Sequence, residues 1–232
     1  MTNPPDGRRG RAKREPLSRD RVLQAALAFI DEQGIDELSM RRLASTLGVE
    51  AMSLYNHVDD KDDLLNGVLD AVVDEADLEP RPGEHWKATV QRGAEDLLAA
   101  FAAHPNAREL MVRYPGHRAQ GVVVNTFMSV LHEAGYPSPA IHSAWHLISS
   151  YFNGYLMTLG HMLDRQPEER EAALRQLRSL PPEDYRHQYA EMFVDCGLQE
   201  EFSIGLKIVL DGMEQYLEEA RQQVARARGR RR

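Results

Sequence analysis

The chain has 232 residues, of which 42% are hydrophobic and 28% charged, with a formal net charge of −8 and a single cysteine. That length supports a sizeable core, and that composition excludes wholesale disorder. Cys196 alone forms neither an intramolecular disulfide nor a multi-thiolate zinc site, and the N-terminus has no apolar run of the signal-peptide kind. The expectation is a soluble, cytoplasmic protein.

The charge is uneven. Residues 1–21 carry seven basic and three acidic side chains, residues 221–232 carry six arginines and no acid, and residues 22–220 carry 15 basic against 33 acidic. An acidic body with basic ends fits two readings: arms that release counterions from a polyanion, or tails that keep the termini solvated.

In chain order the spacing is helical throughout. Ser18 is placed to cap a helix with Val22, Ala26, Phe29 and Ile30 inward, stopped at Gly34. Ser39 precedes a short helix with Met40, Leu43, Ala44 and Leu47 inward, stopped at Gly48. A third helix is predicted over 49–58 and a fourth over 61–77, the latter headed by Asp59 and Asp60, where carboxylates suit exposed amides. The segment LEPRPGEH breaks the periodicity and reads as a hinge. Further helices are predicted over 85–103, 118–134, 138–163, 166–178, 182–195 and 199–226. The fold class is all-α. Residues 136–163 lack Asp, Glu, Lys and Arg, yet His142, Ser143, His146, Ser149, Ser150 and Asn153 interrupt the apolar run, which argues for a buried helix with a polar stripe rather than a membrane span.

The strongest local signal is SMRRLASTLGVEAMSLYNHV, residues 39–58. A small residue at Ala44, a glycine at Gly48 and apolar Leu43, Leu47, Val49 and Leu54 suit two short helices crossing steeply around a tight turn. That is the geometry of a helix-turn-helix, whose second helix enters the major groove; an ordinary helical hairpin fits the same spacing.

The run GVEAMSLYNHVDDKDDLL, within residues 17–72, resembles the DNA-binding domain of the TetR family of transcriptional repressors. HWKATVQRGAEDLLAAFAAHP, FMSVLHEAGYPSPAIHSAWHLISSYFNG and EEFSIGLKIVLDGMEQYL are similar to the C-terminal domain of its tetracycline-repressor branch. The resemblance implies a basic arm at 1–17, a helix-turn-helix domain with connecting helix at 18–77, an effector-binding and dimerisation domain at 78–220 and a basic tail at 221–232. It implies a homodimer that binds a palindromic DNA operator and is released by a small-molecule effector. Arg41 would reach a guanine, Ala51, Met52 and Ser53 would face base edges, and Tyr55 and His57 would touch the backbone, with Lys61 on a phosphate and Asn56 a reader of adenine. Tyr55 also fits a packing role between helices.

Residues 18–77 hold five basic and 14 acidic side chains, so those acids must lie away from DNA or repel it. Arg8, Arg9, Arg11, Lys13 and Arg14 would then form an arm along the duplex. Phe202, Leu206, Val209, Met213 and Tyr216, with Gly205 and Gly212, form a stripe expected to pair with helix 138–163 across the dimer, unless it is intrachain core. For an apolar or aromatic effector the candidates are His104, Met111, Phe127, Trp145, His146, Ser150, Tyr151, Asn153 and Met157, which also read as core. His142 and His146 have chelating spacing but no glutamate between them, so no metal and no cofactor are expected. The alternatives are a TetR-like protein that has lost operator binding and a helical enzyme using His104, His142 or His146; the expectation is a non-enzyme without membrane contact.

Overall fold

A computed structural model describes residues 16–113, 118–163, 167–194 and 198–229; the proposed N-terminal arm and Cys196 lie outside them. Among the described residues every regular element is helical, and no helix is long and apolar enough to cross a membrane.

Four helices make the first unit: α1 (Arg19–Gln33), α2 (Met40–Leu47), α3 (Ala51–Leu54) and α4 (Lys61–Val73). Ser18 Oγ accepts from Arg21 N–H at 3.2 Å and Ser39 Oγ from Arg42 N–H at 3.2 Å, satisfying amides that the first turn leaves open. Gly48 ends α2 at φ 66°, ψ 36°, a left-handed conformation that costs glycine least. The third helix is shorter than predicted. After Leu54 the chain turns, with His57 and Val58 amides both donating to Leu54 O, so that Val58 drops into the core and Asp60 caps α4 through Asp63 N–H. Val22, Ile30, Leu43, Leu54, Leu64 and Val68 form the centre. Gly67 lies so close to Leu23 that an added Cβ would sit 2.5 Å from its Cδ2, which is how α1 and α4 approach.

The second unit comprises α5 (Trp86–Ala103), a 3-10 turn (Pro105–Ala107), α6 (Arg108–Arg113), α7 (Arg118–Glu133), α8 (Ser138–Leu163), α9 (Pro167–Arg178), α10 (Tyr185–Gln188), α11 (Ala190–Val194) and α12 (Leu198–Gly229). The turn and α6 fall outside the predicted elements, because Pro105 and Asn106 read as breakers. The helix predicted over 182–195 is two, separated at Tyr189, whose φ of −107° leaves the helical region. Phe202, Leu206, Leu210, Met213 and Leu217 of α12 are buried against α8 and α5, and Lys87 ties α5 to α12 through Asp211 at 2.6 Å and Glu214 at 2.9 Å. The Asp211 carboxyl, bonded by Lys207 and Lys87, is held down at about 2.

This placement corrects the expected dimer stripe. Phe202, Leu206 and Met213 are intrachain core, Val209 is half-buried, and Gly205 is covered by Tyr151, whose hydroxyl donates to Phe202 O at 2.9 Å. Of the stripe, Tyr216 and Gly212 remain exposed. The apolar residues that face outward are their neighbours Ile204 and Ile208, with Leu147 on α8.

The predicted hinge is not slack. Arg92 of α5 donates to the carbonyls of Asp77 and Glu79, the latter at 2.8 Å, and to Glu84 at 2.9 Å, and it pairs with Asp77 at 3.0 Å. These bonds draw the chain off the helical path after Val73, which is why α4 stops four residues short of the predicted end.

Candidate nucleic-acid interface and effector cavity

In the helix-turn-helix Arg41, Met52, Tyr55 and Asn56 are exposed, Met52 at 72% and Tyr55 at 44%, while Ala51, Ser53 and His57 are half-buried. Arg41 and Asn56 have no hydrogen-bond or ion-pair partner among the described residues. Lys61 is exposed as well, with Nζ donating to Leu38 O at 2.7 Å.

The neighbouring arginine has a different task. Arg42 bonds the Glu37 carboxylate, Glu37 O at 2.9 Å and Gln33 at 2.6 Å, and lies over the Phe29 ring at 5.0 Å. It therefore fastens α2 to the end of α1. The family resemblance names Arg41 alone as a DNA contact, and one helical step gives Arg42 its separate set of intrachain partners.

Several acids of the first unit have structural partners. Asp63 takes a two-bond contact from Arg19 at 2.7 and 2.9 Å, which holds its carboxyl below the usual range, and Arg19 also donates to His57 O. Asp60 is a cap, Asp70 bonds Arg118 at 3.1 Å, and Asp77 pairs with Arg81 and Arg92. Asp31, at the end of α1, accepts from His104 Nδ1 at 2.7 Å, whose Nε2 meets Glu75 at 3.1 Å. Several of these carboxylates thus face the second unit.

His104 is therefore a bridge between units and not a wall of the cavity. Burial opposes its charged form, but Asp31 and Glu75 outweigh that and hold its pKa above the ordinary value. A raised pKa means stability present below the unfolded value of about 6.5 and lost as pH climbs through the folded one. The melting temperature of wild type over His104→Ala should accordingly be highest near about pH 6 and narrow towards about pH 9; a pH-independent difference would refute a charged bridge.

A cavity of about 170 Å³ lies between the end of α4, the linker, α5, α7 and α8. Met111, Phe127, Trp145 and Asn153 of the predicted set line it. Phe127 and Trp145 rings are 5.4 Å apart. Val73, Leu78, Val90, Gln120 and Thr126, which the sequence alone does not mark out, also line it, as does Ser149 of the predicted polar stripe. On α7 the spacing of Gln120, Val123, Phe127 and Val130 is the available signal, a helical stripe that reads as core until a void is seen behind it. Met157 lines an adjoining cleft instead. Tyr151 packs on Phe202 at 5.4 Å, and His146 and Ser150 lie on the outer face of α8, where His146 and His142 Nε2 atoms are 3.3 Å apart. The polar stripe read from the sequence thus splits, with Ser149 and Asn153 on the cavity and His142, Ser143, His146 and Ser150 outward.

A helix-turn-helix head joined to a helical domain around an apolar cavity is the architecture of a ligand-binding transcriptional regulator. The model of bacterial regulatory proteins of the tetR family matches residues 22–68, and that of the tetracyclin repressor-like C-terminal domain matches residues 79–217. The chain belongs to the TetR family. An HTH-type transcriptional regulator of Saccharopolyspora erythraea is 32% identical over 139 residues, covering 60% of this chain and 59% of that protein, so the match spans less than two thirds of the relative. The class A tetracycline repressor of transposon 1721 from Escherichia coli is 26% identical over 85% of this chain and 90% of its own. The structure of apo ActR from Streptomyces coelicolor is similar with a TM-score of 0.71 at 28% identity, covering 89% of this chain and 99% of ActR, which has also been solved in complex with actinorhodin.

Proposed function

We propose that the protein is a cytoplasmic, dimeric repressor that binds a palindromic operator through the face carrying Arg41, Met52, Tyr55 and Asn56, and is released by an effector in the α5–α7–α8 cavity. The observation that carries this reading is that Arg41 on α2 has no partner among the described residues while Met52 and Tyr55, at and just after α3, are exposed. In this reading Ala51 and Ser53 face base edges, and Tyr55, His57 and Lys61 contact the DNA backbone. Reading two successive major grooves takes two heads about 34–36 Å apart, hence the dimer. The effector reading rests on Met111, Phe127, Trp145 and Asn153 around an apolar void, and on family resemblance to a protein solved with actinorhodin. Val73 and Leu78 carry an occupied cavity's pressure to the end of α4, shifting the population of head spacings.

The test is selection of duplexes from a random library at near-physiological salt. An enriched inverted repeat with half-sites about 10 bp apart is expected; no enrichment rejects operator binding. For the dimer, Leu147→Glu with Ile208→Glu places charge on residues that are 49% and 67% exposed in the chain. Sedimentation should give one chain mass for this variant and two for wild type, with helicity unchanged. A wild-type mass of one chain would refute the dimer.

A further inference from the structure

The cavity is too small to be the whole of an effector site. An engineered apolar cavity of about 150 Å³ takes one benzene, and sites for drug-sized ligands run to about 300–1,000 Å³. About 170 Å³ therefore holds roughly one aromatic ring. Met111, Gln120 and Asn153, however, line both this cavity and a second space of about 630 Å³. A larger ligand that fills the first must pass these three residues into the second.

The second space lies between the units. One wall is the α1–α2 turn of the DNA-reading head, including Gly34 and Asp36; the other includes Arg108, Glu109 and Met157. Its chemistry differs from that of the inner cavity. The inner wall has neutral polar groups only, Thr89, Gln120, Thr126, Ser149 and Asn153, and no charged side chain. The cleft sets two carboxylates, Asp36 and Glu109, beside one guanidinium, Arg108. An anionic group finds a net negative wall there and no cation inside, whereas hydroxyls find both donors and acceptors.

We propose, building on the effector reading above, that the effector is a two-part molecule, an aromatic ring seated in the inner cavity and a hydroxylated, non-anionic extension seated in the cleft against the reading head. The extension then touches the head directly. Asn106, which lines the cleft, donates to Ile30 O at 2.9 Å and Asp31 O at 3.0 Å, and His104 holds Asp31. A ligand wedged there bears on the same turn that these bonds fix to the second unit.

The experiment is calorimetric titration of the full chain with phenol, phenyl β-D-glucopyranoside and benzoate. Two variants divide the site: Thr126→Phe fills the inner cavity, and Met157→Trp fills the cleft from a residue 61% exposed. The glucoside should bind about tenfold or more tighter than phenol, benzoate should bind more weakly than phenol, Met157→Trp should erase the glucoside's advantage while leaving phenol unchanged, and Thr126→Phe should weaken both. No glucoside advantage, no glucoside binding, or an advantage that survives Met157→Trp overturns the two-part site. Benzoate binding as tightly as the glucoside overturns the charge class. In either case phenol binding that remains sensitive to Thr126→Phe leaves the effector cavity standing. Phenol binding indifferent to Thr126→Phe removes the cavity reading itself.

Discussion

Replacing Arg41 and Tyr55 together by alanine should erase the palindrome that the proposed function expects wild type to select, while leaving the melting temperature within a degree or two. Both side chains are exposed, and Arg41 has no partner among the described residues. Their removal takes groups away from DNA and little from the fold. A bidentate arginine–guanine pair discriminates by about 1–3 kcal/mol. With the proposed tyrosine contact to the DNA backbone removed as well, and the loss carried twice in a dimer, specific affinity should fall by roughly three orders of magnitude, towards the nonspecific level. Arg42→Ala is the informative control. It removes the bonds to Glu37 and Gln33 and the stacking over Phe29, so it should lower the melting temperature and leave the preferred sequence unchanged. Equal enrichment by wild type and the double variant would mean that this face does not read DNA. The remaining question would then be what the fold is retained for, and the cavity would be the place to look.

The contrast between Arg41 and Arg42 also marks how far the sequence is legible. Caps, glycine stops and apolar spacing predict the helices of the head, because those signals act over three or four residues and need nothing from elsewhere. Ser18, Ser39, Gly34 and Gly48 all stand where the local chemistry requires. The departures begin where a distant residue intervenes. α4 ends early because Arg92 pulls on Asp77 and Glu79, and the expected dimer stripe is core because α8 lies over it and Tyr151 fills the space at Gly205. The effector residues are half legible for the same reason. Met111, Phe127, Trp145 and Asn153 lie on the cavity and Tyr151 lies on a packed face, though the sequence reading placed all five at one site. Periodicity gives a face; only the neighbouring helices decide whether that face meets a void, a core or water.

Arg92→Ala should have the largest effect on stability and on the link between the units. The guanidinium is 16% exposed and bonds two carbonyls and two carboxylates of the segment between α4 and α5. Its loss takes the donor from the Asp77 and Glu79 carbonyls and leaves the Asp77 carboxylate with Arg81 and Glu84 with Thr89 and the Arg81 amide. A hydrogen bond to a charged group contributes about 1.5–3 kcal/mol, and a domain pair of this size loses about 2–4 °C per kcal/mol, so a fall of roughly 3–12 °C is expected. Arg92→Lys should recover less than half of it, because an ammonium cannot span Glu84 and both carbonyls as a planar fork does. The pH dependence identifies the partner. Arg92 holds the Glu84 carboxyl at about 2 against an ordinary 4.5, so the folded pKa is depressed. The contribution is complete above the unfolded value and disappears as pH falls towards 2. Other carboxylates titrate in the same window, Asp211 among them, so the quantity to follow is the gap between wild type and variant, which should close on acidification. Leu78, one residue after Asp77, lines the inner cavity, and slack there should uncouple ligand from DNA. In Arg92→Ala the effector should still bind but no longer shift operator affinity. A variant that melts with wild type at neutral pH would show the clamp to be idle, and one that melts early yet responds normally to effector would place the coupling in the cleft against the α1–α2 turn.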